Sequence, residues 1–239
     1  MKRTTVIISL IPVYLLVFFA LICCAVIADR SVTTLVENNQ ISNRNCVIID
    51  PGHGGVDGGA TSCTGVLESE INLQISLKLN DLMHLIGIDT VLIRDSDCSV
   101  YTQGNTIAQK KISDLKERVR IVNNTENALL ISVHQNHFSD GRYYGPQVFY
   151  GKIGESSTLA RKMQSALINS LCSECNRKAK PSSGVYLLNE IKCEGILIEC
   201  GFLSNYEEEV KLRSSDYQMK LCCVIAATCA NYLNNREVT

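Results

Sequence analysis

The clearest structural signal in this chain is Cys46-Val-Ile-Ile-Asp50, which runs directly into Pro51-Gly52-His53. A short apolar run that stops at proline and glycine is typical of a buried strand that ends in a loop. In proteins that alternate strands and helices, ligands bind at the carboxyl ends of the strands. His53 therefore lies where a functional side chain is expected, in a glycine-rich loop that extends to Gly65.

An amphipathic helix follows this loop. Apolar residues recur every three or four positions from Ser69 onward, as on one face of a helix, and the pattern ends at Gly87. The stripe consists of Ile71, Ile75, Leu79, Leu82 and Ile86.

Strand and helix patterns alternate through the rest of the chain. In a helix that begins at Ser113, we predict that Leu115, Val119 and Val122 face inward. Further strands are predicted at 88–93, 128–133, 147–150 and 195–199, and further helices at 158–171 and 217–233. This alternation predicts an α/β fold with three α/β/α layers, in which helices flank a largely parallel twisted sheet.

The N-terminal segment has the pattern of a membrane anchor. The run from Thr4 to Ala28 is nearly all apolar, is preceded by Lys2 and Arg3, and is long enough to cross a bilayer. We predict a signal anchor or transmembrane helix at 1–28, a polar spacer at 29–44 and one catalytic domain at 45–239. Because positive residues stay in the cytoplasm, the catalytic domain of this single-pass protein is expected outside the cell membrane. Cleavage after Ala28 would instead give a secreted protein.

The charge balance argues against nucleic acid as a partner. Lys and Arg total 23 and Asp and Glu total 24, which gives a formal net charge of −1. A nearly neutral chain has no general electrostatic attraction for a polyanion.

Cysteine is abundant in this chain, with twelve residues. Those in the predicted exported part are irregularly spaced, and we expect them to be small buried apolar residues rather than a disulfide framework. They are Cys46, Cys63, Cys98, Cys172, Cys175, Cys193, Cys200, Cys222, Cys223 and Cys229. A cysteine zinc site at Cys172 and Cys175 is not expected, because no second pair has matching spacing.

Potential metal ligands occur where the predicted sheet would bring them together. His53 follows the first strand, Glu68 begins the first helix, and His134 ends the strand that starts at Ala128. Two imidazoles and one carboxylate are a ligand set that suits zinc and leaves a fourth position for water. The sequence thus predicts a hydrolytic zinc site.

Glu199 is the candidate general base. It ends the apolar strand Gly195-Ile-Leu-Ile-Glu199. A carboxylate beside a buried strand is unfavourable unless it is paired or has a chemical task, and here the task would be to accept a proton from the attacking water.

Four motifs in this order resemble those of a known enzyme family. They are Asp50-Pro-Gly-His53-Gly-Gly with Asp57-Gly-Gly, Gly65-Val-Leu-Glu68-Ser-Glu-Ile-Asn-Leu, Ser132-Val-His134-Gln-Asn136, and Glu199-Cys-Gly-Phe-Leu-Ser-Asn205. Together they are similar to the zinc-dependent N-acetylmuramoyl-L-alanine amidases, which cut the amide between N-acetylmuramic acid and the stem peptide of peptidoglycan.

The resemblance implies a role for each matching residue. His53, Glu68 and His134 would bind one Zn²⁺ per catalytic domain, and Glu199 would be catalytic. Asn136 is a candidate substrate-binding residue, although hydrogen bonding within the fold is an equally good interpretation of both Asn136 and Arg94.

Further segments resemble the subgroup of amidases that act on the spore cortex. They are Asp114-Leu-Lys-Glu-Arg118-Val-Arg-Ile-Val-Asn, Asn176-Arg-Lys-Ala-Lys180 and Gly184-Val-Tyr-Leu187. In that subgroup, removal of stem peptides precedes the formation of muramic-δ-lactam by a separate muramic acid deacetylase, and the lactam is recognised during germination. The implied partners are peptidoglycan, the membrane, the deacetylase acting downstream and an accessory lipoprotein.

The sequence leaves several alternatives open. His137 is an unusual residue at its position in the family motif, and it could compete as a metal ligand. The enzyme could be a vegetative cell-wall amidase, or autolysin, rather than a cortex enzyme. A zinc carboxypeptidase is a second alternative, but it would need a His and a Glu three residues apart. A cell-wall-binding pseudoenzyme is a third, but it would lack a ligand or the catalytic carboxylate. A dinucleotide loop is disfavoured because Asp57 stands at its third glycine position.

Overall fold

The computed structural model describes residues 45–236. The predicted anchor at 1–28 and the spacer at 29–44 lie outside this range, as do residues 237–239. Within the described range, no helix is both long enough and apolar enough to cross a membrane.

A six-stranded sheet forms the centre of the described domain. Its strands are β1 (Cys46–Pro51), β2 (Thr90–Leu92), β3 (Ala128–Asn136), β4 (Gln147–Tyr150), β5 (Lys180–Pro181) and β6 (Glu194–Phe202). The spatial order is β2-β1-β3-β6-β4-β5, and only the β4 and β6 pair is antiparallel among these strands. The predicted α/β fold with a largely parallel sheet is confirmed.

Helices cover both faces of the sheet. They are α1 (Glu68–Leu85), α2 (Ile107–Asn124), α3 (Ser156–Leu171), α4 (Tyr186–Glu190), α5 (Tyr206–Arg213) and α6 (Ser215–Arg236). Helices α1, α3 and α6 pack on one face, which we call the first face, and α2 and α4 pack on the second face.

Alternation along each strand divides the buried side chains between the two faces. Val47 and Ile49 belong to the core of the first face, whereas Ile48 belongs to the core of the second. Successive strand residues point to opposite faces, so a strand covered on both sides must be apolar throughout. The apolar run that begins at Cys46 satisfies this requirement.

Some predicted boundaries were wrong. The helix predicted from Ser113 begins at Ile107, because Thr106 caps it and forms a capping box with Gln109. Leu115, predicted to face inward, is 38% exposed. The strand predicted at 88–93 is restricted to Thr90–Leu92.

The prediction for the cysteines holds only in part. Cys200, Cys222 and Cys229 are free and buried. Cys63, Cys98 and Cys223 are exposed, and Cys172 forms a disulfide with Cys175. The two bridged residues lie at the C-terminal end of α3, where the chain turns back on itself and brings them together.

Helix α1 offers a matched test of the core. Leu79 is fully buried, whereas Leu85 on the same helix is 81% exposed. We expect Leu79→Ala to lower the free energy of unfolding by about 2–5 kcal/mol, because it leaves a cavity. The same substitution at Leu85 should change it by less than about 0.5 kcal/mol. Urea unfolding followed by circular dichroism would measure both, and equal effects would contradict the assigned helix orientation.

Candidate active site

The loop after β1 has a constrained backbone. His53 has a φ of 61°, in the left-handed region that residues other than glycine seldom adopt. At Gly52, a Cβ atom would collide with the imidazole of His134. This close approach places the first predicted ligand beside the end of β3.

Two buried arginines hold the backbone of this loop. Arg94 donates from Nε to the carbonyl of Pro51 and from Nη2 to that of Gly52, both at 3.0 Å. Arg118 donates from Nη1 to the same Pro51 carbonyl at 3.0 Å and from Nη2 to the His53 carbonyl at 2.7 Å. Arg94 therefore has the structural role that the sequence left open.

A buried carboxylate completes this arrangement. Asp50 forms an ion pair with Arg118 and accepts a hydrogen bond from Ser132 Oγ at 2.6 Å. Burial opposes its ionisation, but the charge of Arg118 and these hydrogen bonds hold the pKa of Asp50 below its usual range. No role was expected for Arg118 from the sequence. The pattern that could have indicated a role is the pair Asp114 and Arg118, which lie four residues apart on one face of α2. Arg118 Nε lies 2.6 Å from Asp114 Oδ2.

The structure brings together the three predicted metal ligands. One ligand atom each from His53, Glu68 and His134 can be chosen so that all lie within 4.8 Å of one another. Glu68 lies between the imidazoles, with Oε2 at 3.3 Å from His53 Nε2 and Oε1 at 2.9 Å from His134 Nδ1. His137 is exposed and lies outside this cluster.

The electrostatics of this cluster favour a cation. Burial disfavours ionised Glu68, but hydrogen bonds from His134 and His53 outweigh it and hold the pKa of Glu68 well below its usual range. Burial likewise disfavours charged His53, but Glu68 and Asp57 raise the pKa of His53 to about 9. A site that stabilises positive charge between nitrogen and carboxylate ligands fits a zinc ion.

Asp57 orients the first ligand. Its Oδ2 lies 2.9 Å from His53 Nδ1, which directs Nε2 of His53 toward Glu68. Lys111 of α2 approaches the other carboxylate oxygen of Asp57 at 2.8 Å. An acidic partner on the remote nitrogen of a metal-binding histidine fixes both its tautomer and its ring orientation.

Glu199 lies beside this cluster. It is the register partner of His134 on the adjacent strand β6, so both side chains project from the second face. Its Oε2 atom is sealed from solvent and has no hydrogen-bond partner among the described residues. Burial, with a smaller contribution from the charge of Glu68, raises the pKa of Glu199 to about 7. Such a carboxyl group can both accept and release a proton near neutral pH.

A cleft of about 370 Å³ opens over Glu199 and His134 on the second face. One wall is formed by α2 and the other by the segment 184–187. The apolar side chains in its lining are Leu115, Val185, Tyr186, Leu187 and Leu197. Asn136 is half-buried and is not part of this lining, so substrate binding by Asn136 stays a prediction.

His134 and His137 provide a matched test of the ligand set. We expect His134→Ala to lower the zinc content well below one ion per chain, because it removes an imidazole from the cluster. His137→Ala should keep full zinc content. Metal analysis after dialysis would measure both variants, and the reverse result would make His137 the ligand.

Asp57 can be tested separately from the ligands. We expect Asp57→Asn to weaken zinc binding by about 10–100-fold, because the amide is a poorer partner for the His53 ring. Exposed Asp95 provides the control, and Asp95→Asn should leave the affinity unchanged. Competition with a chromogenic chelator would measure both affinities. Equal affinities would show that Asp57 does not support the metal site.

Known proteins resemble this chain in sequence. The sequence profile of the family described as N-acetylmuramoyl-L-alanine amidase matches residues 47–231. A germination-specific N-acetylmuramoyl-L-alanine amidase from Bacillus subtilis is 34% identical over 192 residues, which cover 80% of each protein.

Solved structures share the fold. The CwlD amidase from Clostridioides difficile, solved in complex with the GerS lipoprotein, is 36% identical, with a TM-score of 0.77 over 80% of this chain and 99% of that one. An N-acetylmuramoyl-L-alanine amidase from Clostridium difficile 630 is 31% identical, with a TM-score of 0.70 over 81% of this chain and 98% of the other. The chain therefore belongs to the N-acetylmuramoyl-L-alanine amidase family.

Proposed function

We propose that this protein is a zinc-dependent hydrolase that cleaves the amide between N-acetylmuramic acid and L-alanine in peptidoglycan. The observation that carries this proposal is the placement of Glu199 beside His53, Glu68 and His134 at the head of an open cleft. A carboxylate beside a cation site can accept the proton of the attacking water in metal-assisted hydrolysis.

His53, Glu68 and His134 would hold the zinc ion. A bound zinc supplies positive charge that acidifies water and polarises the scissile carbonyl. Asp57 and Lys111 keep the His53 ring in place, and the two arginines keep the His53 backbone in place. The ligands are thus oriented before substrate arrives.

Glu199 would move the proton. With a pKa near neutrality, it takes a proton from the attacking water and gives it to the nitrogen of the departing L-alanine. This route needs no covalent intermediate.

We further propose that the substrate is spore cortex peptidoglycan. Support comes from the germination-specific relative and from the similarity to the CwlD amidase. Removal of the stem peptide would provide the substrate of a muramic acid deacetylase, and that step leads to muramic-δ-lactam. A vegetative amidase is the alternative, and the products formed in the cell separate the two.

We also propose a partner and a location for this protein. The C. difficile CwlD amidase forms a complex with a lipoprotein, so an accessory lipoprotein is the partner we propose here. We retain the N-terminal segment as a membrane anchor, which would place residues 45–239 outside the cell membrane as a single catalytic domain.

The decisive experiment is to incubate the full chain with peptidoglycan and zinc and to identify the products by mass spectrometry. We expect free stem peptides that begin with L-alanine, and chelation should abolish their release. The control is Glu199→Gln, which should keep zinc but lower turnover by about 10²–10⁴-fold because it removes the proton acceptor.

Each other outcome identifies an alternative. Release of single C-terminal amino acids would indicate a carboxypeptidase. Intact stem peptides with full zinc content, in the presence of the accessory lipoprotein, would indicate a non-catalytic binding protein. Spores of a strain that lacks this protein should lack muramic-δ-lactam, and unaltered lactam would exclude the cortex role while leaving the amidase activity intact.

A further inference from the structure

A second groove, with a volume of about 380 Å³, lies outside the cleft. One wall is Arg142, Tyr143 and Tyr144 in the loop between β3 and β4, and the other is the segment 174–177 that follows α3. We call it the aromatic groove. None of the residues in its lining has a role in the proposed chemistry.

The aromatic groove is held in shape by contacts between its walls. Arg177 donates from Nε to the carbonyl of Tyr144 at 2.9 Å, and its guanidinium lies 4.7 Å above the ring of buried Phe202. Tyr143 stacks on the same ring, at 6.1 Å between centroids. Gly145 packs directly against the disulfide at Cys175, where a Cβ atom would collide with the sulfur. A groove formed in advance binds its ligand with little loss of conformational entropy.

The groove lies at the same edge of the sheet as the candidate active site. The loop that carries Tyr143 follows β3, which contains His134, and leads into Gln147, the register partner of Glu199. Phe202, on which Tyr143 stacks, follows Glu199 by three residues along β6. Since a strand rises about 3.3 Å per residue, this spacing corresponds to about 10 Å. Glu199 and the ring that supports the groove therefore lie near each other on the same strand.

The chemistry of the groove suits a sugar. Tyr143 and Tyr144 are 47% and 44% exposed, so each presents apolar ring surface to solvent. Arg142, Glu174 and Asn176 line the same groove, and their side chains carry planar donors and acceptors. A pyranose has an apolar face of C–H bonds and a rim of hydroxyl and acetamido groups, which match these surfaces. The mixed charges do not favour a nucleic acid or an acyl chain.

We propose that the aromatic groove binds the glycan strand beside the muramic acid unit whose amide is cut. This inference rests on the proposed function, because it assigns to the groove the neighbouring sugars of the same polymer. The groove would hold the strand in register while the cleft receives the scissile amide.

The test uses glycan strands freed of stem peptides, whose binding to the full chain is measured by isothermal titration calorimetry. We expect Tyr143→Ala/Tyr144→Ala to raise the Kd by about tenfold, because two stacking surfaces are lost. The double phenylalanine variant, which keeps both rings, should retain most of the affinity. Replacement of two exposed isoleucines on α2, Ile107→Ala/Ile112→Ala, is the control and should leave the Kd unchanged.

A second double variant, at exposed positions, tests the groove in case the tyrosine variant does not fold. Arg142, whose side chain is 91% exposed, can be replaced together with exposed Asn176 without disturbing the core. We expect Arg142→Ala/Asn176→Ala to weaken strand binding severalfold. Failure of the unchanged protein to bind the strands, or equal binding by every variant, would overturn the proposal.

A turnover measurement separates this inference from the proposed function. We expect the tyrosine double variant to raise KM on polymeric peptidoglycan while leaving KM on a single disaccharide-peptide unchanged. Absence of turnover by the unchanged protein on both substrates would count against the proposed function, and strand binding would still decide the role of the groove.

Discussion

The backbone of the loop after β1 is the constraint on which the candidate active site depends. His53 adopts a left-handed conformation, and the surrounding structure must supply the energy that this conformation costs. Arg94 and Arg118 supply it through hydrogen bonds to the carbonyls of Pro51, Gly52 and His53. The buried ion pair of Arg118 with Asp50 anchors this arrangement on the sheet, and removal of one partner from such a pair costs about 3–5 kcal/mol.

The sheet determines which side chains meet. Asp50, Ser132 and Leu197 lie side by side on β1, β3 and β6, and two residues further on His134 lies beside Glu199. All of these side chains point to the second face, because strand residues alternate with a period of two. Glu68 reaches the same place from α1, whose first turn lies at the carboxyl ends of the strands. The candidate cation site therefore lies at the edge of the sheet, with Glu199 next to it.

The two carboxylates of the candidate site have different surroundings. Glu68 accepts hydrogen bonds from two imidazoles and has a lowered pKa, whereas Glu199 lacks a partner at Oε2 within the described structure and has a pKa raised to about 7. Carboxyl groups whose environments shift their pKa values in opposite directions are suited to different tasks. In the proposed function, the first would bind a cation and the second would exchange a proton.

The sequence by itself was sufficient to predict the α/β class, most of the strands and helices, and the four residues of the candidate site. Apolar periodicity reports which residues are buried, and His53, Glu68, His134 and Glu199 stand at the ends of those apolar runs. Only the tertiary structure revealed the clamp formed by Arg94 and Arg118, the disulfide at Cys172 and the aromatic groove. These features join residues far apart in the chain, or depend on how a turn folds back, and a local pattern carries no information about such contacts. For the same reason Leu115, which continues the apolar stripe of α2, lines an open cleft instead of the core.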